Sequence, residues 1–348
     1  MAEALRRTGN PSSVHRWGRA ARQAIEHARA QVADLVGAAP AEVIFTSGGT
    51  EANHLALRGV HGRRILISAI EHDSVRESVP DATAIPVTAA GVVDLAGLET
   101  SLASDPRPAL VSIMFANNET GALQPIAQAT AIARRHGALF HCDAIQGAGK
   151  LPVDMRALGA DLLSISAHKL GGPQGVGALV ARDRVTLTAL QRCGGQERGR
   201  RAGTENGPGI VGFGVAAEMA AREGLSSAVA AELRDRIEAA LMAMAPDARV
   251  FAKEAPRLPN TLCIGMSGVA ASTQVMALDL AGVMVSAGAA CSSGKVRRSH
   301  VLSAMGATLE EAESAIRVSL GWSTTVAEIE KFVDTWAALY RRTRSVAA

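Results

Sequence analysis

Seven short apolar runs, separated by helical segments or glycine turns, constrain the fold of this chain more than any other feature. They lie at 43–46, 65–68, 84–87, 110–115, 139–143, 162–165 and 177–181. Runs of this length, rich in Val, Ile and Leu and bounded by turn residues, read as strands buried on both faces. Strands alternating with helices make an α/β protein with a mainly parallel sheet of seven strands. The chain has 348 residues, of which 48% are hydrophobic but only 3% aromatic, so its core must be built from Ala, Val, Leu and Ile. That length favours two domains. We place the large one at 11–224, and a smaller α/β domain at 1–10 with 225–348. The smaller carries expected strands at 261–264, 283–286 and 316–320 and helices at 272–280, 301–305 and 326–340. In the larger, a helix at 15–36 is expected to be capped by Ser12 or Ser13.

Polar residues that could do chemistry follow these strands, at the carboxyl edge where such sheets bind ligands. Lys169 comes directly after the 162–165 run, beside Ser166 and His168. A lysine at a strand end is by default a solvated side chain; among small polar groups it also suits imine formation with an aldehyde. Ser47-Gly48-Gly49-Thr50 joins a strand to a helix start. That is an ordinary βα turn or an anion site, since free N–H groups and the helix dipole converge there. His72 is either a neighbour of a helix cap or a flat ring laid over a flat cofactor. Asn117 and Asn118 are either turn formers or amides that read a carboxylate or phenolic oxygen. Asp143 ends a buried strand, and a carboxylate there is costly unless paired. The loop 194–206 carries three arginines and Thr204 among glycines. It is a solvated basic loop or an arm bringing anion contacts to a site.

Other classes are disfavoured. With 36 basic and 33 acidic residues the net charge is only +3, too balanced to argue for nucleic acid or membrane binding. The four cysteines, Cys142, Cys193, Cys263 and Cys291, have no metal-ligand spacing. Their scarcity points to a reducing compartment. No leader and no apolar run of membrane-spanning length is evident, and a cytoplasmic protein is expected. Cys291 lies in Ser286-Ala287-Gly288-Ala289-Ala290-Cys291-Ser292-Ser293-Gly294. Without bulky neighbours to bury it, this thiol is expected to be exposed and mobile.

Taken together, these stretches resemble the class V, fold-type I pyridoxal-phosphate enzymes, and among them the cysteine desulfurases of the nitrogenase and iron–sulfur-cluster type. The resemblance spans nearly the whole chain. It rests on Asn10-Pro11-Ser12-Ser13-x-His15, Ser47-Gly48-Gly49-Thr50-Glu51-Ala52-Asn53, Glu71-His72, Ala116-Asn117-Asn118-Glu119 and His141-x-Asp143-Ala144-x-Gln146. It continues in Ser164-x-Ser166-Ala167-His168-Lys169, Gly194-Gly195-Gln196-Glu197-Arg198, Arg201-x-Gly203-Thr204-Glu205-Asn206, Ala290-Cys291-Ser292-Ser293-Gly294 and Ile316-Arg317-x-Ser319-Leu320-Gly321.

The resemblance implies pyridoxal 5'-phosphate as cofactor, held by Lys169, with Asp143 paired to the pyridine nitrogen. It implies Gln146 on the phenolic oxygen and His72, also catalytic, stacked on the ring. Gly49, Thr50, Ser166 and His168 would hold the phosphate, joined by Thr204 from the partner in a homodimer. Arg317, aided by Asn118, would bind the carboxylate of L-cysteine. Cys291 would take the sulfur as a persulfide and pass it to an acceptor protein for iron–sulfur cluster or related biosynthesis, leaving L-alanine. No metal is implied. Competing readings are another class V enzyme, an aminotransferase or selenocysteine lyase, and an inactive paralogue acting as a scaffold. Family members usually open with a Tyr-x-Asp-x-x-Ala-Thr-type strand ahead of the point where this sequence starts, and the upstream reading frame is expected to continue into such a strand.

Overall fold

The protein is described by a computed structural model, covering residues 1–6, 9–223, 227–288 and 298–347. All seven expected strands are present. They are β1 (Val43–Thr46), β2 (Arg64–Ser68), β3 (Thr83–Ile85), β4 (Ala109–Ser112), β5 (Leu139–Asp143), β6 (Leu162–Ser166) and β7 (Gly177–Ala181). They form one sheet in the order β1-β7-β6-β5-β4-β2-β3. Pairing is parallel from β3 through β6, whereas β7 runs antiparallel to both its neighbours. The apolar runs are continuous because both faces are covered: every residue of β1, β4, β6 and β7 is buried. Ile44, Leu55, Leu110, Leu162 and Leu179 share one apolar cluster between the sheet and helix Gly49–Arg58.

The reversed β7 shapes one edge of the sheet. Its first residue, Gly177, pairs with Thr46 at the end of β1 and with Ser166 at the end of β6. A Cβ on Gly177 would lie 2.7 Å from the Gly48 carbonyl carbon and 2.9 Å from the Ile165 oxygen. Only glycine lets these chain segments approach so closely.

Helix Arg16–Leu35 covers this unit with Ile25, Ala28, Val32 and Ala33. Its cap is neither Ser12 nor Ser13: His15 Nδ1 accepts the Gly18 N–H at 3.3 Å. The two serines are drawn into a turn on Asn10, whose side chain and carbonyl accept their N–H groups. On the same buried face lies Arg29. It donates to both carboxylate oxygens of Glu197, at 2.7 and 2.9 Å, and to the Val43 carbonyl at 2.9 Å. The Phe45 N–H also donates to Glu197, at 3.0 Å. Both charged side chains are about 95% buried, at 5% exposure each. The pair ties the 194–206 loop to β1, and Glu197 and Arg198 take left-handed φ values of 48° and 57° to make it.

The chain divides into two compact units, Met1–Ile85 with Leu95–Phe115 and Pro125–Gly224, and Pro86–Asp94 with Ala116–Gln124 and Leu225–Ala348. Residues 1–10, expected in the second unit, cluster with the first, and the excursions at 86–94 and 116–124 into the second were not foreseen. The excursions hold each other through Gln124, which accepts the Val93 N–H and donates to the Gly91 carbonyl, both at 2.8 Å.

The second unit has its own antiparallel sheet of β8 (Arg249–Val250), β9 (Thr261–Gly265), β10 (Ser286–Ala287) and β11 (Ala315–Ser319), in the order β10-β11-β9-β8. Its core joins Ile264 and Ile316 to Leu241, Phe332 and Trp336 from the helices Ser227–Met244 and Val326–Ala347. Among the described residues no helix is long and apolar enough to cross a membrane.

The Arg29–Glu197 pair gives a stability prediction. Removing Glu197 leaves the buried Arg29 with only the half-exposed Glu26 as counter-charge, a loss of about 3 kcal/mol, the low end for breaking a buried pair. Glu197→Ala should lower the urea unfolding free energy by that amount. A change under about 1 kcal/mol, the worth of a surface pair, would show that the carboxylate does not hold the loop.

Candidate active site

In the first unit the candidate residues collect where β1, β5 and β6 end and β7 begins. β5 delivers Asp143 at its last position, in register with Ser164 of β6. Its carboxylate is buried and held only by donors: the Ile145 N–H at 3.0 Å and the Asn53 amide at 2.8 Å. Burial pushes the Asp143 carboxyl above the usual aspartate range, against the Ile145 N–H, Asn53, His72 and Lys169, which pull it down. A cation brought to this carboxylate would remove much of that penalty.

β6 ends in Ser166, whose Oγ lies 2.9 Å from His168 Nδ1. Lys169 follows and is exposed. Across the edge, β1 turns through Gly48 and Gly49 into helix Gly49–Arg58, with Thr50 exposed in its first turn. A Cβ on Gly49 would lie 2.2 Å from Ile145 Cδ1 and 3.5 Å from the Ser166 Cβ, so glycine keeps this cradle open beside β6. Gln146 is half-buried, and its Oε1 accepts from Lys150 at 2.7 Å. Its Nε2 is therefore the end left to meet an acceptor such as a phenolic oxygen.

His72 is half-buried and caps the short helix Asp73–Arg76, its Nδ1 accepting the Ser74 N–H at 3.0 Å. The cap role and a place in the site coexist, because Asn53 links Ser74 to Asp143. Thr204 is exposed on the loop that the Arg29–Glu197 pair anchors.

Asn118 and Arg317 belong to the second unit, where they meet each other. Arg317 Nη1 donates to the Asn118 carbonyl at 2.9 Å and Nη2 to Ser286 Oγ at 3.3 Å. Its Nε is buried with no protein acceptor among the described residues. Two nitrogens pin the guanidinium, and each keeps a second N–H able to meet an acceptor. Cys291 lies outside the described residues.

Three groups were missed as individuals, although each stood inside a motif. His141 is fully buried, its two ring nitrogens 2.8 Å from Ser112 Oγ and 2.9 Å from Ser164 Oγ. Burial takes its pKa down to about 3, so the ring is neutral and bridges β4, β5 and β6 just behind Asp143. Asn53 is the direct partner of Asp143. Glu71 is fully buried and accepts the Met114 N–H at 2.7 Å. For His141 the signal was a polar residue within an apolar run, which implies a buried partner; Asn53 and Glu71 stand in mixed stretches that carry no such signal.

The small-residue cradle, the buried acceptor carboxylate and the exposed amine fit pyridoxal phosphate. The cradle suits a phosphate, the carboxylate a protonated ring nitrogen, and the amine an aldehyde.

Glu71 supplies a pH prediction. Burial, and next the charge of Asp143, push its carboxyl well above the usual glutamate range. Between its unfolded and folded pKa values the folded protein holds a proton that the unfolded chain has lost, so stability falls as pH rises through that window. Asp143 acts in the same direction. Urea unfolding of cofactor-free protein from pH 5 to pH 8 should show Glu71→Gln losing less stability than the parent. Parallel curves would place Glu71 in the ordinary range.

Comparison with known proteins agrees with this geometry. The family profile described as Aminotransferase class-V matches residues 2–332. A protein named cysteine desulfurase from Cereibacter sphaeroides is 44% identical, over 97% of this chain and 90% of its own. Among solved structures, a NifS-like protein from Rickettsia africae superposes with a TM-score of 0.90 at 37% identity, covering 98% of this chain and 94% of its own. SspA in complex with cysteine matches with a TM-score of 0.78 at 31% identity, covering 92% of this chain and 94% of its own. With two sheets ordered as described and a buried aspartate beside a lysine at the ligand edge, this chain belongs to the class V aminotransferase family, in its cysteine desulfurase branch.

Proposed function

We propose that this protein is a pyridoxal-phosphate-dependent cysteine desulfurase that converts L-cysteine to L-alanine. The observation that carries the reading is Asp143. A carboxylate buried at a strand end, hydrogen-bonded to neutral donors and still pushed up by burial despite His72 and Lys169, is costly without a closer cation, and a protonated pyridine nitrogen is such a cation. The kinship with proteins named cysteine desulfurase selects this reaction over transamination. Bound there, pyridoxal phosphate supplies an electron sink for the α-carbon of an amino acid.

The chain's own groups do the rest. Asp143 holds the proton on the ring nitrogen by charge. Gln146 Nε2 donates to the phenolic oxygen, and His72 lies against the ring. Gly49, Thr50, Ser166 and His168 hold the phosphate, with Thr204 reaching it from the partner in a homodimer. Lys169 Nζ holds the cofactor by its aldehyde and, once released, moves protons. Arg317 grips the substrate carboxylate with the N–H groups that Nη1 and Nη2 have left, and the Asn118 carbonyl orients the guanidinium.

The sulfur step belongs to Cys291. Its thiolate attacks the substrate Sγ, an S–S bond forms as the Cβ–Sγ bond breaks, and the electron pair stays with Cβ. That carbon takes up a proton and leaves as part of alanine, while Cys291 keeps the sulfur as a persulfide. A protein acceptor then takes the sulfur for iron–sulfur cluster or related biosynthesis in the cytoplasm.

Sulfide release from L-cysteine under reductant tests the reading. Lys169→Ala should abolish release and the cofactor's protein-bound absorbance together. Cys291→Ser should keep that absorbance and its response to cysteine while release falls to background. Normal release by Cys291→Ser would refute the persulfide role.

Asp143→Asn separates charge from shape. The amide is isosteric but cannot hold the ring proton, so the variant should bind cofactor and lose roughly 10²–10³-fold in kcat, the scale of one electrostatic contact. A loss under tenfold would remove Asp143 from its assigned role.

A further inference from the structure

The structure assigns a proton position that neither motif nor fold specifies. The argument starts at Asp143, which as a carboxylate accepts hydrogen bonds and donates none. Asn53 lies against it with a contact of 2.8 Å, so the Asn53 amide must face it with Nδ2. The same Nδ2 lies 2.9 Å from Ser74 Oγ. Asn53 Oδ1 has no protein partner among the described residues. The amide therefore commits both of its N–H hydrogens, one to Asp143 and one to Ser74.

Ser74 Oγ, having accepted from Asn53, must aim its own hydrogen elsewhere. His72 Nδ1 is 2.8 Å away. The same Nδ1 also faces the backbone N–H of Ser74 at 3.0 Å. Two donors converge on one ring nitrogen, and a nitrogen that accepts must carry a lone pair. In the neutral ring the proton is then on Nε2.

We propose that Asn53 and Ser74 are positioning residues which, through a hydrogen-bond chain anchored on the Asp143 carboxylate, hold His72 as its Nε2–H tautomer. His72 thereby meets a ligand as a hydrogen-bond donor, and Nδ1 is closed to proton transfer. The chain also has a direction. If Asp143 became a donor, the Asn53 amide would turn, Oδ1 would accept from both sides, and the Ser74 hydroxyl would swing away from His72. One carboxylate thus holds the proton on the pyridine nitrogen and, through Ser74 Oγ, reinforces the imidazole tautomer that the Ser74 N–H also favours. The inference rests on the reading of Asp143 and His72 as cofactor-site residues, but its measurement does not depend on turnover.

The test is a long-range ¹H–¹⁵N correlation spectrum of cofactor-loaded protein labelled with ¹⁵N-histidine, with the His72 ring assigned by its loss in His72→Gln. The expected pattern is an unprotonated-type shift at Nδ1 and a protonated-type shift at Nε2. In Ser74→Ala one of the two donors is gone, and the two nitrogen shifts should move toward each other. Ser74→Thr, which keeps the hydroxyl, should restore the parent pattern. A protonated Nδ1 in the parent protein overturns the proposal, and so does a Ser74→Ala spectrum identical to it. If Ser74→Ala fails to fold, the parent and Ser74→Thr spectra decide between the tautomers. A sulfide assay on the same samples keeps the two readings apart. The expected tautomer without sulfide release would sink the desulfurase assignment alone, and sulfide release with a protonated Nδ1 would sink the tautomer alone.

Discussion

The cost of holding the Asp143 carboxylate out of water organises much of the first unit. The group is buried at a strand end, where each of its lone pairs must meet a donor or be left at a cost of several kcal/mol. Two donors are supplied locally, the Ile145 N–H and the Asn53 amide. They do not cancel the charge, and burial still pushes the carboxyl up. The site is thus left with an unmet demand for positive charge. The strongly raised Glu71 beside it adds to that demand, since a second buried carboxyl nearby makes ionisation of either costlier.

Rigid support on either side keeps the carboxylate where a ligand can use it. His141, neutral and hydrogen-bonded to serines on both neighbouring strands, fixes β5 laterally two residues before Asp143. The reversed β7 brings Gly177 to the same edge, where the absence of a side chain leaves the β1 turn close to β6. Farther out, the Arg29–Glu197 pair holds the glycine-rich arginine loop against β1. Some of these contacts join remote parts of the chain, Arg29 and Glu197 being 168 positions apart. They place the candidate side chains on strand ends rather than on unsupported loops, the condition for a preorganised site.

In the second unit the held group is a guanidinium. Arg317 stands on β11 between Cys263 of β9 and Ser286 of β10. Two of its nitrogens are fixed by the Asn118 carbonyl and Ser286, so little side-chain entropy remains to be lost when a ligand binds. Asn118 reaches this position because residues 116–124 leave the first unit and pack in the second.

Local pattern was enough for the elements and for the identity of the candidate groups. A buried strand is a continuous apolar run of four or five consecutive residues, a signal that covers every strand of the large sheet but the short β3, two of whose three residues are exposed. Asp143, Lys169, Gly49 and Ser166 stood out because they follow such runs at the edge where these sheets bind ligands, although each has an ordinary structural use as well, and Arg317 and Thr204 because they sit in recognisable motifs. Partnership was not legible. That Asn53 serves Asp143, that Ser74 orients His72, that His141 bridges three strands and that Glu197 neutralises Arg29 all depend on distances between segments remote in sequence. The cap of the 16–35 helix went to His15 for the same reason on a smaller scale, since the Asn10 turn drew the nearer serines away. Residue type and order determine which groups can hold charge or protons. Only the tertiary structure decides which of them meet, because a hydrogen bond depends on tenths of an ångström and the packing of the whole core sets those distances.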